Sequence, residues 1–188
     1  MNLRRLILKL AYPINYHLGK LSLKRKIGDS FYFDARRVLQ QGDILLSYRN
    51  YEPSNILISG KYTHSAMYYQ DIYGREYVVE AVGEGVIRKS LPKFLFSKDK
   101  ICILRAKEVS ESDRSDASKV ARSFIGTPYD YYFENSINAF YCSELIHYSL
   151  KQVSNEYSYQ PGHTLGMETV TPMDFYEASQ FEHILESR

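Results

Sequence analysis

THSAMYYQDIYGREYVVEAVGEGVIRKSL, residues 63–91, decides the fold. The segments between its turn signals are rich in Tyr, Val and Ile, and three antiparallel strands are expected over Thr63–Gln70, Glu76–Ala81 and Gly85–Ser90. Asp71–Gly74 has hairpin-turn chemistry, and Gly83 and Gly85 bracket the second turn. Upstream, Gly42-Asp43 turns into the apolar run Ile44-Leu45-Leu46, a buried strand. Residues 47–62, with Pro53 and Gly60, read as a loop holding a short turn of helix.

Downstream the period changes. LPKFLF (91–96) is a short turn or helix, and KICILRA (100–106) is a further strand. Ala117, Val120, Ala121 and Phe124 form a helical stripe that Gly126 ends, with Pro128 beyond it. An aromatic loop, TPYDYYFENSINAF (127–140), leads into a second helix starting at Cys142, with Leu145, Ile146, Ser149 and Leu150 on one face. GHTLGMETV (162–170) reads as a loop, and Thr171-Pro172 caps and opens a last helix. Strands first and helices after give an α+β fold, a curled, barrel-like antiparallel sheet packed against helices.

Apolar residues make up 44% of 188 and charged residues 24%, which suits one folded domain. The charge is uneven. Residues 1–28 hold seven Lys/Arg and no acid, whereas 29–188 hold 17 basic and 22 acidic residues. Leu3, Leu6, Ile7, Leu10 and Ile14 fall at helical spacing, with Arg4, Arg5 and Lys9 off that stripe. Residues 1–40 are therefore read as a basic amphipathic arm and 41–188 as the domain. The arm suits peripheral contact with an anionic membrane surface, or packing on its own domain. No stretch is long and apolar enough to span a bilayer. Lys9 breaks the apolar run and no small-residue cleavage site follows, so a cytoplasmic or membrane-associated place is expected over a secreted one. Basic charge confined to a terminal arm, without a recognised module, argues against a nucleic-acid partner. Two cysteines, Cys102 and Cys142, are too few for a disulfide framework, and no Cys/His cluster has zinc-like spacing. No metal or other cofactor is expected.

Three side chains stand out. Glu80 is a carboxylate in an apolar strand, a costly place for a charge that lacks a partner. His64 begins the neighbouring strand, and one hairpin connects the two. Cys142 opens a helix, where free N–H groups and the positive dipole end favour a thiolate and supply oxyanion donors. Taken singly, a cysteine on an apolar helix face is ordinarily core, as Cys102 in its strand is expected to be, and Glu80 has Arg75 and Arg88 as other partners. Taken together, they form a Cys–His–Glu site if the helix packs on the sheet face that carries His64.

Six short elements resemble one family: Gly42-Asp43-Ile44-Leu45-Leu46, His64-Ser65-Ala66-Met67-Tyr68, Val79-Glu80-Ala81, Gly126-Thr127-Pro128-Tyr129, Tyr141-Cys142-Ser143-Glu144-Leu145 and Thr171-Pro172-Met173-Asp174. Their order resembles the circularly permuted branch of the NlpC-like papain-type cysteine hydrolases, the YiiX-like group, in which the histidine strand precedes the cysteine helix. The resemblance covers about residues 40–176 and implies a permuted papain-like fold. It implies Cys142 as nucleophile, His64 as general base and Glu80 as the residue that orients His64. Candidate substrate-binding residues are Tyr141, Ser143, Tyr129 and Tyr68, with the Tyr129–Phe133 aromatics and Tyr141 lining the cleft. Tyr141 or a backbone N–H near Cys142 is the candidate oxyanion donor. The first function expected is an amidase or peptidase acting on a small cell-wall-like peptide. The second is a lipid hydrolase or acyltransferase resembling lecithin retinol acyltransferase-like proteins, and the third a binding domain without catalysis.

Overall fold

A computed structural model describes residues 27–50, 55, 58, 60–133, 136–159, 162–164 and 167–187. The arm up to residue 26 lies outside the described residues, as does most of the expected turn of helix within 51–59. Six strands build the main sheet: β1 (Ile44–Tyr48), β2 (His64–Gln70), β3 (Glu76–Val82), β4 (Gly85–Ser90), β5 (Lys100–Ala106) and β8 (Phe181–Glu186). Within residues 162–170, expected to be a loop, β6 (Gly162–Thr164) and β7 (Met167–Thr169) pair antiparallel as a separate two-stranded sheet. The main sheet is antiparallel, in the order β4-β3-β2-β1-β5-β8. It is open, with β4 and β8 as edges, so the barrel-like closure expected from the sequence does not form. Backbone near residue 126 covers part of the β4 edge: Val86 N–H donates to Thr127 O and Gly126 N–H to Val86 O.

The helices are α1 (Asp29–Val38), α2 (Leu91–Leu95), α3 (Glu111–Ser123), α4 (Cys142–Val153) and α5 (Pro172–Glu177). They lie on both sides of the sheet. One apolar cluster joins Ile44, Met67, Tyr69, Val79 and Ala81 to Ala117 and Ala121 of α3 and to Leu145, Ile146 and Leu150 of α4. The other joins Leu45, Ala66, Tyr68, Val78 and Ile103 to Ala35 of α1 and to Leu91, Phe94 and Leu95 of α2. Strand alternation alone sorts these residues. α1 falls inside the segment assigned to the arm, yet Ile27 and Ala35 are core residues, so the packed body includes this helix. β8 was not read from the sequence; it pairs with β5 through Ala106↔Phe181 and Leu104↔His183, with a register shift.

Gly42-Asp43 is an architectural corner. Asp43 is fully buried and takes two bonds from Arg105, Nε to Oδ1 at 2.8 Å and Nη2 to Oδ2 at 2.7 Å. Arg105 also donates to Val38 O at 2.7 Å, which ties α1's end to β5. Gly42 has φ 78°, and a Cβ there would sit 2.1 Å from Arg114 O. Gly126 has φ 99° with nothing within 4 Å of its Cβ position. Gly42→Ala therefore carries both strain and a backbone clash and should cost about 2–4 kcal/mol. Gly126→Ala carries strain alone, about 1–2 kcal/mol. Denaturant unfolding of the two variants checks this order.

Candidate active site

β2 and β3 are paired from Gln70↔Glu76 to Met67↔Val79, and the pairing stops there. The rest of β2, from His64 to Ala66, is held by β1 on its other side, Leu46↔Ser65 and Ser47↔His64. The rest of β3, from Glu80 to Val82, is held by β4. The two strands thus separate at one end of the sheet, and the three candidate residues meet at that opening.

By alternation His64 and Glu80 belong to the sheet face under α1 and α2, and the His64 ring lies 6.3 Å from that of Phe94. α4 packs on the opposite face. The condition read from the sequence, that the cysteine helix covers the face carrying His64, does not hold. Cys142 reaches His64 because α4 begins at the end where the strands are unpaired. Its first turn touches β2 through Ser143 Oγ, 3.3 Å from Ser65 Oγ, and the Ser65 N–H points at the Cys142 thiol.

His64 Nε2 lies 2.7 Å from Glu80 Oε2, which leaves Nδ1 for the side-chain hydrogen bond between His64 and Cys142. Glu80 is 1% exposed, His64 7% and Cys142 3%, so solvent screens this chain little. Lys89 Nζ is 2.6 Å from Glu80 Oε1. Burial alone raises a carboxyl. Here the Lys89 charge, the His64 hydrogen bond and charge, and the Lys98 charge outweigh it and hold Glu80 well below the carboxylate range. For His64, burial and the Lys98 charge act downward. The hydrogen bonds to Cys142 and Glu80 outweigh them and raise it to about 9. Burial pushes the Cys142 thiol up, but His64, by hydrogen bond and charge, and then Ser143 and the Ser65 N–H bring it down to about 7. Cys102 has no such partners, and burial pushes it up to about 12. Both shifts act in the direction that favours a thiolate beside an imidazolium.

Local sequence explains how Cys142 is presented. Phe140 N–H donates to Pro128 O and Asp130 N–H to Phe140 O, a parallel bridge that holds the chain extended up to Tyr141. Phe124, Phe140 and Tyr148 pack edge to face or tilted at 4.6–5.5 Å, fixing α4 against α3. The helix lacks a Ser, Thr, Asp or Asn cap. Glu144 instead accepts the Tyr141 N–H at 3.3 Å, while burial, Asp130 and Cys142 raise its carboxyl to about 8. The first N–H groups of α4 have no intrahelical acceptor.

The candidate binding residues separate. Ser143 is fully buried, with Oγ 3.7 Å from Cys142 Sγ. The Tyr141 hydroxyl accepts the Val170 N–H at 3.1 Å, and its ring packs on Phe133 at 4.9 Å. Tyr129 is half-buried against Tyr131 at 5.0 Å and bridges to Phe140, two residues before Cys142. Tyr68 is not brought to this group. It sits in the cluster with α1 and α2, and its hydroxyl donates to Glu76 at 3.3 Å. Lys89 and Lys98 were missed by sequence reading. The alternation of β4 carries a signal for Lys89, which shares a strand face with Ile87, the partner of Glu80.

Among the described residues, Cys102, His183 and Glu186 have donor atoms within 4.8 Å of one another, a group able to hold a metal ion. Sequence spacing gave no hint of it, because the three come from β5 and the distant β8. Glu186 Oε1 already pairs with the Lys61 ammonium at 2.5 Å and with the Tyr62 hydroxyl.

With this geometry in view, residues 38–185 match the model of a family described as permuted papain-like amidase enzymes, YaeF/YiiX, C92 family. The chain belongs to this family. Its fold is the permuted papain-like one, and it is a cysteine hydrolase of the amidase or peptidase kind. The match does not favour the acyltransferase reading. A crystal structure described as the metalloprotein yiiX from Escherichia coli O157:H7, DUF1105, is similar at TM-score 0.67 and 20% identity. The likeness covers 80% of this chain and 98% of that one, and at this identity it speaks for the fold alone. No curated protein matches the chain.

In His64→Ala the cation is gone and burial remains. The Cys142 midpoint should then move from about 7 to above its ordinary 9. Thiolate absorbance in the ultraviolet, followed against pH, checks it.

Proposed function

We propose that the protein hydrolyses an amide bond of a small, cell-wall-like peptide through an acyl-enzyme on Cys142. The observation that carries this reading is the position of His64, bonded on one side to Glu80 at 2.7 Å and on the other to the Cys142 thiol. The family match supports amide chemistry over ester or acyl transfer.

The Cys142 thiolate attacks the carbonyl carbon and forms a C–S bond. The oxyanion that develops is held by N–H groups at the start of α4, the Cys142 N–H first. His64 Nδ1–H gives its proton to the leaving nitrogen as the C–N bond breaks, and the amine departs. Neutral His64 then takes a proton from water, whose oxygen attacks the thioester. The C–S bond breaks, the acid leaves, and the thiolate–imidazolium pair is restored. Glu80 keeps the ring oriented and stabilises its charged form at both steps. Ser143 holds the thiol from its own turn, and Tyr141 and Tyr129 form the wall beside it.

Activity needs a thiolate and a protonated imidazole together. It should rise through about 7, where Cys142 ionises, and fall through about 9, where His64 loses its proton. Cys142→Ala should remove turnover, a loss of about 10³-fold or more. Glu80→Gln should lower kcat/KM about 10²-fold or more while leaving the fold intact. Amine release from short murein-type peptides, measured across pH, tests all three. Turnover that survives Cys142→Ala, or cleavage of ester lipids with none of peptides, overturns this reading.

A further inference from the structure

Glu80 sits 1% exposed among apolar strand residues and divides its two oxygens between two partners. Oε2 faces His64 Nε2 at 2.7 Å and Oε1 faces Lys89 Nζ at 2.6 Å. Lys89 comes from β4, where it pairs with Val78, one step diagonal from Glu80 on the same strand face. Its side chain is 30% exposed, so its stem spans from the buried carboxylate toward water. The groups that face this carboxylate are His64 from β2, Lys89 from β4 and Lys98 from the segment after α2. Those facing the thiol are His64, Ser143 and Ser65, with Glu144 and Asp130 next to them.

We infer that Lys89 is a positioning residue for the reaction, the fixed counter-ion that keeps Glu80 ionised and turned toward His64 when the imidazole is neutral. The inference rests on the acyl-enzyme reading above. In that cycle His64 is cationic at rest and neutral once its proton has gone to the leaving amine. A buried carboxylate whose contact cation vanished would pay the desolvation cost of its charge or take up a proton. A protonated Glu80 cannot stabilise the imidazolium that must re-form when water attacks. Lys89 supplies contact charge that does not come and go with the chemistry, and by holding Oε1 it commits Oε2 to the histidine. Deacylation is the step that depends on it most.

The test is the pH dependence of Cys142 alkylation by iodoacetamide in the full chain, for the unaltered protein, Lys89→Met, Lys89→Arg, Glu80→Gln and the double variant Glu80→Gln/Lys89→Met. The unaltered protein should show a midpoint near 7. Lys89→Met should move it up by about one pH unit, an approximately tenfold slower reaction on the acid side, and Lys89→Arg should restore it. In the Glu80→Gln background the added Lys89→Met shift should shrink to less than about a third, because the lysine then has no carboxylate to act through. If Lys89→Met fails to fold, Lys89→Gln, which retains a hydrogen-bond donor, carries the same expectation. A Lys89→Met profile that superposes on the unaltered one, or an equal shift with and without Glu80, overturns the inference while leaving the site reading intact. Absence of any midpoint near 7 in the unaltered protein overturns the site reading itself, and this inference with it.

Discussion

A carboxylate buried in a β-sheet is the constraint around which this site is built. Glu80 is 1% exposed, flanked in its strand by Val79 and Ala81. Such a charge survives only where cations meet it, and here His64 and Lys89 do so at 2.7 and 2.6 Å. The cost of burying Glu80 is offset by the same contacts that orient the imidazole. Ionisation then passes along the chain, from the carboxylate to the imidazolium to the thiolate at the start of α4. Because all three groups are nearly sealed from water, each link is stronger than it would be on a surface.

The sheet provides the place. A fully paired β2–β3 ladder would keep His64 and Cys142 on opposite faces, since α4 packs against Met67, Tyr69, Val79 and Ala81. Ending the ladder at Met67↔Val79 opens one end and lets a helix terminus on one side reach a strand residue of the other. β1 and β4 still hold the outer edges of the separated strands. The Asp43–Arg105 pair fixes the opposite corner, at the turn into β1.

Much of this was legible in the sequence because it rests on local periodicity. The strands over residues 63–90 follow from Tyr- and Val-rich segments between turn signals and α4 from its helical spacing, and an acid beside valines at Glu80 asks for a partner. The family was legible as well, from the order of short motifs. What stayed hidden depends on long-range geometry. Alternation puts His64 on a face but cannot say that the ladder stops beside it. β8 has a short, half-exposed pattern near residue 185, legible only once β5 offers an edge. α1 followed a basic segment, and its one buried residue, Ala35, with Ile27 just before it, did not distinguish it from the arm. Tyr68 shares a strand face with His64, but four residues along a strand is far enough to leave the site for the core under α1.

The proposed cycle centres on a covalent acyl intermediate on Cys142, with His64 and Glu80 managing its protons. Acid quenching of the full chain during turnover of a short peptide amide, followed by peptide mapping with mass spectrometry, addresses it directly. The expected result is a thioester on Cys142 whose added mass equals the acyl part of the substrate, with Cys102 unmodified. Turnover with no adduct on Cys142, or an adduct on another side chain, would contradict it.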